Sequence, residues 1–236
     1  MNSLATSPHT RRMSSALPFP RLRAPAEDLY PHVFEAILEQ RIGPAERFTE
    51  DSLKTMFGVS RAQVRRVLTQ LSHEHVIVLR AHHRPRVAEP GAEQTRQALH
   101  ARRLAETTLV RMACRNASPD GLKRLRACVE RERLAVAQAR RGAAIRLSGE
   151  FHLLLAQLAG NAPLAHFLGS LVPLTSLATA RNAGQAPEGD AWQAHLAIVE
   201  AVEGGDADKA AVLMNRYLDR LEDRLLASPR ECSAVG

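Results

Sequence analysis

The chain is predicted to be mainly α-helical, with an N-terminal module of three helices and a small β-hairpin followed by an all-helical bundle. Three observations predict this architecture. Residues 48–71 show apolar residues at helical spacing on both sides of a break at Gly58. Residues 76–88 contain two short β-branched runs around a polar turn. Beyond Gly91 the periodicity is helical, interrupted at short segments rich in Gly, Pro, Asn and Asp.

The expected domain boundaries follow from these breaks. Residues 1–24 contain Ser, Pro and Arg without the apolar segment of a signal peptide, so we expect a flexible arm. Residues 25–90 form the N-terminal module, residues 91–228 the helical bundle, and residues 229–236 a flexible tail. A first helix is expected over residues 29–40. The bundle helices are expected near residues 92–116, 119–141, 144–159, 163–182, 190–203 and 207–227.

Residues 48–71 predict two helices joined by a tight turn. Gly58 ends the first helix, and Ser60 is a suitable N-cap for the second. Apolar residues of the second helix fall within an arc of about 100°, and Arg, Gln and Thr occupy the rest of its circumference. Such a helix can read a DNA major groove, because Arg bonds guanine edges or phosphates and Gln bonds adenine. The alternative is a helix-turn-helix that never contacts DNA and whose arginines are simply solvated.

The hairpin strengthens the DNA interpretation. A helix-turn-helix followed by a hairpin is a winged helix, and the predicted wing tip carries Arg84 and Arg86. A basic tip of this kind can follow phosphates or enter the minor groove. Pro85 limits pairing on the return strand. Between Gly58 and Arg86 the only acid is Glu74. The expected DNA-binding residues are Ser60, Arg61, Gln63, Arg65, Arg66, Arg84 and Arg86.

Composition narrows the class of protein. The 236 residues carry a net charge of +7, with 45% hydrophobic residues, which favours a polyanionic partner and supports a real core. Three cysteines without a metal-binding spacing fit a reducing compartment, so we expect a cytoplasmic protein. No apolar run reaches the length of a membrane span.

Two alternatives to a DNA-binding protein come from other classes. An enzyme has little support, because the sequence lacks a Gly-rich phosphate loop, an HExxH motif and a nucleophile elbow. A His-dependent enzyme using His152 and His195 lacks an accompanying nucleophile. A helical adaptor that dimerises without binding DNA is the other alternative. A salt-dependent shift of a DNA duplex would argue against that adaptor.

Motifs along most of the chain resemble a known family. Residues 42–53 are similar to the pattern L-x-P-G-x-x-L-x-E-x-x-L, and residues 58–68 are similar to the more specific G-V-S-R-x-P-V-R-E-A-L. Residues 102–106, 151–161 and 195–206 follow later landmarks in order. The chain therefore resembles GntR-type transcription regulators of the FadR-like subgroup, in which a winged helix precedes a helical effector domain of the FCD type.

Four positions depart from the family pattern. Ala45 stands where the family has Gly, Gln63 where it has Pro, Arg66 where it usually has Glu, and Pro85 where the wing usually has Gly. Arg66 adds positive charge to the reading helix, and Pro85 should stiffen the wing.

The resemblance also implies a metal site, which this sequence retains only in part. Many relatives hold a divalent metal with one Asp and three His. These positions fall on Ser148, His152, His195 and Tyr217. Neutral Ser and Tyr are poor ligands for Zn, Ni or Mn. We therefore expect no tightly bound metal; if one is retained, His152 and His195 are its ligands.

Periodicity places these four side chains inside the bundle. Ser148 and His152 share one helix side, while His195 and Tyr217 fall within apolar arcs of later helices. They are either hydrogen-bonded core residues or the lining of a polar effector pocket. The resemblance adds Arg102, since Arg pairs bidentately with carboxylates. We expect a homodimer on a double-stranded DNA operator, because one reading helix contacts only a few base pairs. The family implies a transcription regulator, either a repressor or an activator, and we expect its small-molecule effector, an anionic metabolite, at these five residues.

Overall fold

The computed structural model describes residues 29–44, 48–182 and 190–226. The predicted arm (1–24), the predicted tail (229–236) and Ala45 lie outside these residues. The helices of the described chain are α1 (Leu29–Leu38), α2 (Glu50–Phe57), α3 (Arg61–His73), α4 (Ala92–Asn116), α5 (Pro119–Ala137), α6 (Arg141–Leu158), α7 (Ala162–Arg181), α8 (Ala191–Glu203) and α9 (Ala207–Leu226). The two strands are β1 (Ile77–Val78) and β2 (Arg86–Val87).

Local capping fixes the helix-turn-helix. Thr49 caps α2 and Ser60 caps α3, each through a reciprocal capping box with the residue three positions later. Gly58 adopts a left-handed conformation with φ of 68° and ends α2. The apolar face of α3 packs on α1 and α2. The sequence prediction of helix, tight turn and helix is confirmed.

The predicted wing is present but its paired part is short. β1 and β2 are antiparallel, with Ile77 opposite Val87 and Val78 opposite Arg86. Each strand has two residues, fewer than the β-branched run of residues 76–80 suggested. Pro85 adjoins β2 and has no N–H to donate to the ladder, which accounts for the early end of pairing.

The helical bundle surrounds its own apolar core. α4 packs against α6, α7, α8 and α9, and α5 packs against α6 and α8. The predicted break at Gly142 is wrong, because α6 begins at Arg141 and Gly142 is buried in its first turn. A Cβ there would lie 2.5 Å from Glu39 Cγ. The turn falls instead at Ala139, which has a φ of 54°.

The winged helix and the bundle share a continuous contact. α1 packs on α6 and α7, and the winged-helix core includes Ile145, Leu177 and Ala180 from those two helices. Polar bonds reinforce the contact. Arg146 Nε donates to Glu35 Oε1 at 2.8 Å, and Gln40 Nε2 donates to the Ala180 carbonyl at 3.2 Å. Movements of α6 or α7 therefore reach α1 directly.

One described helix, α7, is long and apolar enough by length and composition to cross a membrane. It packs against α4 and α6 within the bundle, and Pro173 lies inside it. A single helix of this kind, 39% buried within the described structure, does not by itself indicate a membrane protein.

Candidate functional site

The first candidate site is the exposed face of α3. Arg61, Arg65 and Arg66 are exposed on this helix, as the sequence predicted. Ser60 and Gln63 form the capping box, in which Gln63 Oε1 accepts from the Ser60 backbone N at 3.0 Å and from its hydroxyl at 2.8 Å. These two predicted DNA contacts therefore also hold the start of the reading helix in place.

Two of these arginines carry carboxylate partners from α2. Arg61 Nη2 lies 2.6 Å from both carboxylate oxygens of Asp51. Arg65 Nε lies 2.9 Å from both carboxylate oxygens of Glu50. The hydrogen bond from Arg61 lowers the pKa of Asp51, so this carboxyl is ionised at neutral pH. The reading face thus carries acids beside its bases.

The wing presents its charge to solvent. Arg80, Arg84 and Arg86 are all exposed, and so are His82 and His83 at the tip. Pro85 is half-buried between the two wing arginines. The basic surface of α3 and the basic wing belong to one compact module, as a DNA-binding winged helix requires.

The second candidate site is a polar cleft inside the bundle, between α4, α6, α7 and α9. Its cavity volume is only about 10 Å³, so its walls lie close together. Four of the five predicted effector residues line it, namely Arg102, Ser148, His152 and Tyr217. His195 lies one layer deeper, with its ring centroid 5.1 Å from that of His152 and 4.7 Å from that of Tyr217. All five predicted residues therefore converge.

Arg102 is held rigidly at the wall of the cleft. Its side chain is 3% exposed, Nε donates to Glu106 Oε1 at 2.6 Å, and Nη1 donates to the Thr175 hydroxyl at 2.7 Å. Burial alone would raise the pKa of Glu106, but Arg102 and His152 outweigh burial and lower it well below its usual range. Glu106 is therefore an ionised partner of a buried guanidinium.

Both histidines have a buried glutamate at Nδ1. His195 Nδ1 lies 2.8 Å from Glu132 Oε2, and since a carboxylate can only accept, Nδ1 is the donor of this hydrogen bond. His152 Nδ1 lies 2.5 Å from Glu106 Oε2, although the two groups are not aligned as a hydrogen bond. Burial lowers the pKa of His152 to about 4, against the opposing attraction of Glu106. His152 is therefore neutral at pH 7.

Several buried polar atoms of this network have no hydrogen-bond partner within the described part of the chain. They are Arg102 Nη2, Glu106 Oε2, both ring nitrogens of His152, and His195 Nε2. Unpaired buried polar atoms are costly, and most native proteins contain few of them. Two of the five, Glu106 Oε2 and His152 Nδ1, lie 2.5 Å from each other. The other three are Arg102 Nη2, which is a cationic donor, and the Nε2 atoms of His152 and His195.

The donors present do not fit a tightly held divalent metal. Ser148 Oγ and Tyr217 OH lie 3.1 Å apart and hydrogen-bond to each other, at two positions where a carboxylate and an imidazole would be needed. Among the described residues, no three His, Cys, Asp or Glu side chains come together as a metal site. Glu150, which is near in sequence, faces outward and pairs with Arg131 and Arg146.

Sequence reasoning missed three residues of this site: Glu106, Glu132 and Thr175. A signal for the two acids was available. Glu106 is spaced four residues from Arg102 and three from Leu109, and Glu132 is spaced seven from Leu125. Both acids therefore fall on apolar helix faces, where a charged residue needs a partner. Thr175 lies in an apolar helix and gives no comparable signal.

The chain combines a winged helix that has a basic exposed face with a helical bundle that has a buried polar cleft, and the two share core residues. This combination is typical of ligand-responsive DNA-binding proteins. Comparison with known families agrees with this class. The model of bacterial regulatory proteins of the gntR family matches residues 25–87, and the FCD domain model matches residues 97–220. The FCD match alone covers more than half of the chain. The chain therefore belongs to the GntR family of transcription regulators with an FCD effector domain.

Individual relatives support the same assignment. The HTH-type transcriptional repressor NanR of Cronobacter sakazakii (strain ATCC BAA-894) is 28% identical over 197 residues, which are 72% of this chain and 73% of the relative. Among solved structures, E. coli McbR/YncC matches with a TM-score of 0.69 at 16% identity, covering 83% of this chain and 94% of that one. A GntR regulator from Rhodococcus sp. RHA1 matches with a TM-score of 0.67 at 20% identity, covering 85% and 97%. These two structures share the fold.

Proposed function

We propose that this regulator is a cytoplasmic homodimer that represses transcription from a two-fold symmetric operator and changes its DNA affinity when a small anionic metabolite binds the cleft. The observation that carries the effector part is the buried guanidinium of Arg102, whose Nη2 has no partner among the described residues. A carboxylate would supply two acceptor oxygens to such a group.

The DNA contact is assigned to α3, with support from the wing. Arg61 and Arg65 lie one turn apart on the exposed side of α3 and are the main reading residues. Ser60, Gln63 and Arg66 lie beside them, and Arg84 and Arg86 neutralise phosphates from the wing. The exposure of Ser60 and of all five arginines supports this assignment, and Gln63 is half-buried beside them. A change at Arg61 should alter the preferred sequence, whereas a wing change should weaken binding to all sequences alike.

The small size of the reading element favours a dimer. One recognition helix contacts only a few base pairs, whereas two helices related by a dyad double the site and fix the half-site spacing. Light scattering of the full chain at micromolar concentration should give twice the chain mass, both free and on DNA. A monomer under both conditions would rule out the proposed arrangement.

The effector is small and polar as well as anionic. The cleft has a cavity volume of about 10 Å³, which is roughly the space that one water molecule needs, so an effector must separate the walls of the cleft and a small ligand needs the least separation. Nε2 of the neutral His152 is an acceptor that suits a hydroxyl group, so a short hydroxy-carboxylate satisfies both His152 and Arg102. Ser148 and Tyr217 lie at the same cleft and can exchange their mutual bond for bonds to the ligand.

The route from effector to DNA runs through α6 and α7. Both helices line the cleft, and both pack on α1 of the winged helix. A ligand that separates α6 from α7 therefore changes the support of α1. Such a ligand acts only through different affinities for the two arrangements.

Thermal shift of the full chain with a panel of mono- and dicarboxylates, with and without hydroxyl groups, tests the effector site. A bound carboxylate should raise the melting temperature with concentration, and Arg102→Gln should abolish the shift. Arg103→Gln is the matched control, because its neighbouring guanidinium pairs with Asp219 and Glu222 outside the cleft. A shift that persists in Arg102→Gln would contradict the assignment.

Elemental analysis tests the metal-free version of the cleft. Protein purified without a His tag or chelator should contain no stoichiometric Zn, Ni or Mn. About one metal per chain, lost in His152→Ala, would restore the family's metal-assisted pocket with His152 and His195 as ligands.

A further inference from the structure

The acids paired with the reading arginines lie on the DNA-facing side of the winged helix. Asp51 and Glu50 are the first residues of α2, and their carboxylates reach across to Arg61 and Arg65 on α3. Arg61 Nε also lies 3.9 Å from Glu50 Oε2. Because Asp51 touches the guanidinium of Arg61, it is close to any DNA group that Arg61 contacts.

The helix start alone does not explain these contacts. Acids in the first turn of a helix interact favourably with its dipole wherever their side chains point, and Thr49, not Asp51, caps α2. Exposed ion pairs also contribute little to folding stability. The pair at Asp51 and Arg61 is 63% and 53% exposed. The pair therefore matters more for DNA binding than for folding stability.

An ionised carboxylate accepts hydrogen bonds but cannot donate them, and this makes it selective at a DNA interface. Phosphates, guanine O6 and N7, and thymine O4 are acceptors and repel it. In the major groove only the amino groups of cytosine and adenine can donate to it. When Arg61 contacts DNA, it must therefore either break its contact with Asp51 or keep that contact and place Asp51 beside a base that presents an amino group.

We propose that Asp51 is a specificity-determining residue of the DNA interface. It lowers affinity for random sequence by competing with phosphates for Arg61, and it favours cytosine or adenine at the base it faces. This inference rests on the proposed role of Arg61 in contacting DNA. Glu50 acts on Arg65 in the same way but is less exposed, with 30% of its side chain accessible against 63% for Asp51.

The test compares full-length wild type with Asp51→Asn, which keeps the side-chain size and removes the charge. One probe is a 30-bp duplex of random sequence, and the other is the 30-bp duplex that wild type selects from a randomised library. Asp208→Asn is the matched control. Asp208 is also the second residue of its helix and also pairs with an arginine, Arg111, but it lies in the bundle on α9.

Removing the competing charge should free about one phosphate contact per protomer. Random-sequence affinity should then rise about eightfold per protomer at 0.1 M salt, and the salt slope should steepen by about 0.9 per protomer. The selected duplex should gain less, so the ratio of the two affinities should fall. Repeating the selection with Asp51→Asn should relax the preference at one position of each half-site. Asp208→Asn should leave the ratio and the selected sequence unchanged.

Two outcomes would overturn the inference. One is an unchanged affinity ratio and selected sequence in Asp51→Asn; the other is a change that Asp208→Asn reproduces, which would assign the effect to net charge. Arg61→Ala separates this inference from the proposed function. If Arg61→Ala leaves DNA binding intact, the assignment of the reading residues is wrong. If Arg61→Ala weakens DNA binding but Asp51→Asn changes neither the affinity ratio nor the selected sequence, only the role of Asp51 is wrong. Melting curves of each variant verify the fold.

Discussion

The winged helix and the bundle both use Arg–carboxylate pairs, but in opposite surroundings. On α3, Arg65 is 63% exposed and its partner Glu50 is 30% exposed. In the bundle, Arg102 and Glu106 are 3% and 1% exposed at a similar separation. An exposed pair is easily exchanged, because water solvates either partner when the pair opens. A buried pair cannot open without leaving a charge in the core.

The difference in burial suits the two kinds of pair to different roles. The arginines proposed to contact DNA lie at the surface, where breaking an ion pair costs little free energy. The arginine proposed to hold an effector lies where its position is fixed in advance, so little side-chain entropy is lost on binding. The same residue types thus form exposed, exchangeable pairs on the proposed DNA-reading surface and a buried, fixed pair in the cleft.

The largest expected effect comes from breaking the buried pair. Glu106→Ala leaves the Arg102 guanidinium buried with Thr175 as its remaining hydrogen-bond partner. The free energy of unfolding should fall by about 3–5 kcal/mol, measured by urea unfolding followed by circular dichroism. Glu130→Ala, which breaks the exposed pair with Arg133 on α5, should leave the unfolding midpoint nearly unchanged.

The double change Arg102→Met and Glu106→Leu sharpens this result. It removes both charges together, so most of the lost stability should return, while carboxylate binding should not. If Glu106→Ala and Glu130→Ala cost the same, the contrast between the two regions would be wrong.

The same contrast shows where sequence reasoning succeeded. The strong periodicity of α3 and the Gly58 and Ser60 signals predicted the helix-turn-helix, because local propensity and capping decide these elements. Convergence of His152 and His195 was also predicted, since both lie on inward helix faces. Glu106 and Glu132 were missed, because the histidines that contact them, His152 and His195, lie on other helices and no local pattern identifies such partners. The contact of Gly142 with Glu39 depends on how two domains pack, which no local pattern encodes.

The next effect in size is the loss of a reading arginine. Arg65→Ala should weaken binding to the selected operator by about 10- to 100-fold if a bidentate contact is lost, measured by fluorescence anisotropy at fixed salt. Arg84→Ala should instead weaken operator and random duplexes by the same factor. Unchanged operator affinity in a folded Arg65→Ala protein would move the reading role to other residues.

A pH titration probes the buried region alone. The unfolded chain protonates His152 near its ordinary pKa of 6.5, whereas the folded chain does so only at about 4. Since the unfolded state binds more protons between these values, stability should fall as the pH is lowered from 6.5 toward 4.5, by on the order of 1–3 kcal/mol. His152→Gln should remove that part of the slope. A slope equal to that of wild type would show that other groups carry it.

The smallest expected effect concerns the hydroxyl pair of Ser148 and Tyr217, and it tests whether this neutral pair is independent of the charged pair formed by Arg102 and Glu106. Tyr217→Phe removes the hydroxyl that lies 3.1 Å from Ser148 Oγ, and its loss should cost about 1 kcal/mol because both residues are buried and neutral. Adding Ser148→Ala should cost little more, since the double variant leaves no unpaired hydroxyl at this position; a double-mutant cycle from urea unfolding measures the coupling. A coupling as large as the loss in Glu106→Ala would mean that the two hydroxyls belong to the charged network of Arg102. A coupling near 1 kcal/mol would mean that they form a neutral pair that an effector can open without disturbing the fold.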